Sequence, residues 1–176
     1  MIFHPAAVAG VQRIELEPVR DERGFFSRTF CTREFAEHGL ADAFVQSGTS
    51  FSASSGTLRG LHYQAPPAAE SKLVRCIAGA IFDVVVDLRP DSPSFERFCT
   101  HVLRAADREQ LYVPTGCAHG FLTLEDDTEV TYLLSNFHSV EHARRVRWND
   151  PRFGIPWPTE PSVISAADAE CPDFSD

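Results

Sequence analysis

The feature that most constrains this chain is a series of short segments rich in β-branched and aromatic residues, most of them closed by turn residues. They cover 11–17, 24–30, 57–63, 72–78, 81–88, 98–103, 110–113, 119–124 and 128–135. Side chains of this kind pack well on a pleated surface. Many short strands at such spacing predict an all-β sandwich or barrel. Ala78-Gly79-Ala80 breaks two apolar runs and predicts a hairpin turn, and Asp126-Asp127 and 89–93 (Arg-Pro-Asp-Ser-Pro) predict further turns. Helix is scarce. Residues 32–39 predict one short helix with Thr32 as N-cap and Gly39 at its end, and 165–168 looks like the opening of another. The chain has 176 residues, 43% of them hydrophobic, which suffices for one compact domain over 1–176 with a real core.

Composition narrows the function. The net charge of −9 argues against nucleic-acid binding, which needs a basic face. A small anionic ligand remains compatible, because basic residues can cluster locally. No apolar run approaches the roughly 20 residues of a membrane helix, and the N-terminus lacks the pattern of a signal peptide. The expectation is a cytoplasmic protein with no membrane partner. Five cysteines, widely spaced and without a CxxC pair, predict neither a disulfide framework nor a zinc-thiolate site.

Chemistry concentrates in two stretches. In 57–76, TLRGLHYQAPPAAESKLVRC, strand alternation places Arg59, Leu61 and Tyr63 on one face and Gly60, His62 and Gln64 on the other. An inward His62 and Gln64 would be polar groups in need of partners or a task. The second stretch, PTGCAHGF at 114–121, carries the Pro-x-Gly-x-x-His pattern of the second cupin motif, with His119 on an inward strand. Metal-dependent cupins need a His-x-His in the first motif. Here His62 is followed by Tyr63 and Gln64, and Glu70 stands beyond a proline-bearing loop. Two imidazoles make a thin ligand set, so no metal site is expected. Proton transfer suits the same residues: His62 as general base, Lys72 near an oxyanion, and Tyr132 as a proton donor from another side. From spacing alone, a satisfied core histidine, an exposed lysine and a packed tyrosine are the favoured reading of these residues.

The ordered blocks DERGFF, LRGLHYQ, KLVR, DVVVDLR, PTGCAHGF, VRWNDP, GIPWP and a final S-x-x-D, spread from about residue 21 to residue 168, decide between these readings. Together they resemble the dTDP-4-dehydrorhamnose 3,5-epimerase family over nearly the whole chain. The resemblance implies a cupin-like double-sheet jelly-roll barrel with a few short helices. It also implies a homodimer and a nucleotide-diphosphate sugar substrate, with no metal or cofactor. By resemblance, His62 removes the protons at C3 and C5, and Asp168 orients its imidazole. Tyr132 returns a proton on the opposite sugar face, and Lys72 lies near the enolate oxygen. Arg59 and His119 match further substrate-contacting positions, and Arg23 matches a contact to the nucleotide.

Several matched positions depart from the family pattern. Arg28 stands where many relatives have glutamate, and Gln46 keeps its amide while Gly48 loses one. His138 replaces a tyrosine that stacks on the thymine, and Ala143 and Ala167 replace a glutamate and a lysine. These changes open the expectation of an altered nucleotide or sugar beside that of simple drift. Other readings are a single-site 3- or 5-epimerase, a ketone-shifting isomerase, a metal-dependent cupin enzyme and a silent binding protein.

Overall fold

A computed structural model describes residues 1–175. The strands, in chain order, are β1 (Ile2–Pro5), β2 (Gln12–Glu15), β3 (Val19–Asp21), β4 (Gly24–Phe26), β5 (Gln46–Ser52), β6 (Thr57–Gln64) and β7 (Lys72–Ala78). They continue with β8 (Ala80–Asp87), β9 (Phe98–Arg104), β10 (Gln110–Val113), β11 (Cys117–Thr123), β12 (Thr128–Leu134), β13 (Ala143–Arg145) and β14 (Val163–Ile164). Two short helices, α1 (Thr32–Glu37) and α2 (Ala166–Ala169), complete the chain. One sheet runs β1-β2-β10-β7-β12-β5, and a second runs β13-β6-β11-β8-β9, with β14 added in parallel to β6. This is the double-sheet, cupin-like jelly roll with few short helices that the sequence predicts.

The inner faces of the two sheets close on a core that includes Val74, Ile81, Val85, Leu103, Leu111, Phe121 and Val130. Each fully buried aliphatic or aromatic side chain there contributes roughly 1.5–3 kcal/mol. The outer faces are covered as well. Phe35 of α1 packs with Ile14, Leu73 and Tyr112 on the back of the first sheet. Val146 and Phe153, with Ile155 and Trp157 beside them, cover Leu61, Val84 and Val86 on the back of the second.

Three local expectations are corrected. The turn at Ala78-Gly79-Ala80 is not a hairpin: β7 belongs to the first sheet and β8 to the second, so the chain crosses the barrel there. Gly79 has φ +70, and a Cβ on it would lie 2.3 Å from Thr128 Oγ1, so only glycine fits this sharp crossing. Thr32 is the first helical residue of α1. Cys31 takes the N-cap position, without a side-chain cap. The predicted strand 24–30 ends at Phe26 as half of a two-stranded ribbon with β3.

Simple alternation along β6 also fails. Opposite β11, Arg59 pairs with Phe121 but His62 pairs with His119, so β6 carries one residue more than its partner over this stretch. Such a bulge shifts the phase of the strand. Leu61 and Tyr63 face the outer cluster, whereas Arg59 turns to the same cavity as His62. The close approach at the bulge requires two glycines. Gly60 has φ +121 and a Cβ there would meet Gly120 Cα at 2.7 Å, while a Cβ on Gly120 would meet the Arg59 carbonyl at 2.6 Å.

Candidate active site

A cavity of about 590 Å³ opens between the sheets. His62 and Arg59 reach it from β6, Lys72 from the start of β7, His119 from β11, Tyr132 from β12 and Asp168 from α2. A smaller hollow of about 270 Å³ adjoins it, sharing His62, Lys72, Tyr132 and Arg145 and adding His138 and Ala143. His62, Arg59, Lys72, His119, Tyr132 and Asp168 are thus brought to one place from five separate elements.

His62 Nε2 lies 2.7 Å from Asp168 Oδ1. The carboxylate accepts from Nε2–H, which leaves Nδ1 with its lone pair for another partner. Asp168 is nearly buried, and it also receives Arg145 Nε at 3.1 Å and the Gly60 N–H at 3.4 Å. Burial works against its charge, but the His62 hydrogen bond and charge, with help from Gly60 and Ser165, outweigh that and hold its pKa at about 2. Ser165 caps α2 by accepting the Asp168 backbone N–H. The cap and the imidazole contact therefore coexist in one residue.

Lys72 is buried rather than exposed at its strand start. Its Nζ donates to the His62 carbonyl at 3.1 Å and lies 3.6 Å from Glu70. Burial pulls its pKa down, opposed by the charges of Glu70 and Asp83. The loop after β6 returns on itself, so Glu70 does not stay remote: it accepts a hydrogen bond from Gln64 Nε2 at 3.0 Å beside Lys72. Tyr132 Oη is 3.0 Å from Ser50 Oγ, and burial pushes the phenol up to about 12, so it carries its proton across the neutral range. Behind these groups, His119 Nε2 is 2.8 Å from Asp83 Oδ2, both fully enclosed. Arg59 is steadied by Ser52 Oγ and the Phe51 carbonyl.

The nucleotide-side residues are more dispersed. Gln46 lines neither hollow, but its Oε1 accepts the backbone N–H of His138, which lines the smaller one, at 2.6 Å. Arg23 and Arg28 do not reach either cavity of this chain. Arg23 sits at the tip of the β3–β4 ribbon, paired with Asp21 and 83% exposed, and Arg28 pairs with Glu34 beside α1. Sequence reasoning overlooked Arg145, Ser50 and Asp83. Arg145 left no signal in the sequence, because its strand, Ala-Arg-Arg at 143–145, is three residues long and shows no alternation. Among the described residues no group of three or more His, Cys, Asp or Glu side chains is placed to hold a metal ion, and all five cysteines are free. No helix among them is long and apolar enough to cross a membrane.

Known proteins share this architecture and sequence. The chain is 41% identical over 173 residues to the dTDP-4-dehydrorhamnose 3,5-epimerase of Sinorhizobium fredii, covering 98% of this chain and 89% of that one. The crystal structure of the Elizabethkingia anophelis dTDP-4-dehydrorhamnose 3,5-epimerase superposes with a TM-score of 0.95 at 36% identity, covering 99% and 96% of the two chains. The Bacillus anthracis enzyme, solved with TDP and pyrophosphate bound, gives 0.93 at 39% identity over 98% and 99%. The family model for dTDP-4-dehydrorhamnose 3,5-epimerase matches residues 5–176, and with these similarities the chain belongs to that family of epimerases.

Proposed function

We propose that the protein converts dTDP-4-dehydro-6-deoxyglucose to dTDP-4-dehydrorhamnose by inverting C3 and C5 through an enolate. The observation that carries this reading is a His–Asp pair and a protonated tyrosine lining one cavity with a buried lysine. The ketone at C4 acidifies the C–H bonds on either side. His62 Nδ1 takes the proton from carbon, and the electron pair moves onto the C4 oxygen. Lys72 stabilises that oxyanion. Tyr132 then gives its hydroxyl proton to the carbon from the other face, which leaves imidazolium and phenolate. Both reset by exchange with solvent. Two groups on opposite faces are required, because one group alone would return the proton to the face it left. Positioned acid–base groups of this kind supply roughly 10²–10⁴-fold. The chemistry uses the protein's own side chains and calls on no cofactor.

Arg59 and His119 contact the sugar diphosphate in this reading, and Gln46 and His138 border the nucleotide. Arg23 and Arg28 point to a second copy of the chain. They lie on or beside a ribbon whose Val19 and Phe26 are 73% and 71% exposed, an apolar surface suited to another protomer. A homodimer in which this ribbon reaches the neighbouring cavity would bring Arg23 to a diphosphate, which its guanidinium fork binds well. We further infer that residues 1–176 act as one domain, in the cytoplasm where nucleotide sugars are made.

The test is to incubate the protein with dTDP-4-dehydro-6-deoxyglucose in D₂O and follow C3 and C5 by proton NMR. Deuterium at both carbons with rhamnose-configured product supports the proposal. Exchange at one carbon only would reassign the protein as a single-site epimerase. No exchange by folded protein would overturn the substrate assignment. The departures at Gly48, His138 and Ala143 border the nucleotide side, and titration with dTDP, UDP, GDP and CDP reads their effect directly. Clear preference for dTDP would exclude an altered base.

A further inference from the structure

β13 is the edge strand beside β6, and its register sets Arg145 directly opposite His62. Cross-strand partners project to the same face, so the guanidinium follows the imidazole and lines both hollows. Its Nε donates to Asp168 Oδ1 at 3.1 Å, the same oxygen that receives His62 Nε2 at 2.7 Å. Its Nη1 and Nη2 make no hydrogen bond to any described residue.

Asp168 has few other restraints. It belongs to a single-turn helix, and apart from His62 and Arg145 its carboxylate has the long Gly60 N–H contact of 3.4 Å and the Ser165 side chain beside it. A carboxylate with one firm donor keeps torsional freedom. A second, charged donor on the same oxygen removes much of it, because charge-assisted bonds are the stronger ones. Arg145 itself is 49% exposed, so the pair adds little to the stability of the fold. Its geometry therefore matters for the site more than for folding.

We propose that Arg145 is a positioning residue: by holding Asp168 Oδ1 it fixes the ring plane of His62 and keeps Nδ1 aimed at the reacting carbon. The proposal rests on the epimerase reading above and adds a residue to it. Misplacement of a reacting group by about 1 Å is enough to slow a reaction on the order of 10²-fold.

The experiment compares wild type, Arg145→Ala and Arg145→Lys as full-length proteins. In Arg145→Ala, kcat should fall about 10- to 100-fold, with KM and the dissociation constant for dTDP within about twofold of wild type. Arg145→Lys should recover part of kcat. A second readout needs no substrate. The hydrogen-bonded imidazole N–H proton of His62, assigned by its loss in His62→Asn, should be sharp in wild type and broadened by exchange in Arg145→Ala. An unchanged kcat together with an unchanged N–H resonance would overturn the proposal. So would a roughly tenfold rise in both KM and the dTDP dissociation constant at constant kcat, which would make Arg145 a phosphate ligand instead. If wild type fails to exchange the sugar protons, the epimerase reading falls, while the resonance still decides the role of Arg145.

Discussion

Arg59 and His62 stand three residues apart on one strand and face the same cavity, because the bulge opposite Gly120 shifts the strand by one position between them. The site thus depends on a backbone approach that admits no side chain at Gly60 or Gly120.

Gly60→Ala and Gly120→Ala should each destabilise the fold by about 2 kcal/mol or more, since backbone must move to admit the methyl group. In a chain of this size that lowers Tm by roughly 4–8 °C. Thermal unfolding followed by circular dichroism checks this, and an unchanged Tm would mean the bulge relaxes freely.

Asp168→Asn should lower kcat by about 10²–10⁴-fold, because the amide no longer accepts as an anion and the imidazole loses its fixed tautomer. Binding of dTDP, measured by calorimetry, should stay near the wild-type value. A large loss of dTDP affinity would place Asp168 on the binding side of the site.

Tyr132→Phe separates exchange from inversion. His62 can still remove a proton and return it to the same face, so deuterium should enter C3 or C5 while epimerised product falls by about 10²-fold or more. NMR of the sugar in D₂O reads both rates in one sample. Full inversion in this variant would assign the acid role to another group.

Acid should weaken the fold through two carboxylates. Burial opposes ionisation of both, but Asp87 is bound to Arg89, Ser92 and Ser94 and Asp168 to His62, and each is held at about 2 against an ordinary 3.8. A depressed carboxylate stabilises the folded state above its unfolded pKa, and that stabilisation is lost as pH falls from about 4 through about 2. Urea unfolding at pH 5, 3 and 2 should show the loss in wild type and a smaller one in Asp168→Asn. Equal slopes in the two proteins would show that the Asp168 pair contributes nothing to the fold.

The barrel was legible because most of its core strands are rich in β-branched and aromatic residues and closed by turn residues. Residues 72–78 and 110–113 have the bounds expected from sequence, and β8 and β12 differ only at their ends. β5 escaped notice because Gln46–Ser52 is polar and small, an edge strand held by pairing to β12 rather than by burial. β13 and β14 are three and two residues long, too short to carry a period, and with β13 went Arg145. The faces of β6 were misassigned at Arg59 because alternation has no way to anticipate an extra residue set by the partner strand. His62 and Asp168 lie 106 residues apart in sequence, so their pairing came from the family motif and not from local pattern.

The C-terminal segment that delivers Asp168 also carries both tryptophans of the chain. Trp157 Nε1 donates to the Trp148 carbonyl at 2.8 Å, and Trp148 packs on Leu58 and Leu122 behind the active-site strands. Docking of this segment therefore reports itself in intrinsic fluorescence. During refolding, the emission of these two rings marks the moment at which the histidine acquires its carboxylate, and recovery of turnover should follow that signal rather than the far-UV signal of the sheets.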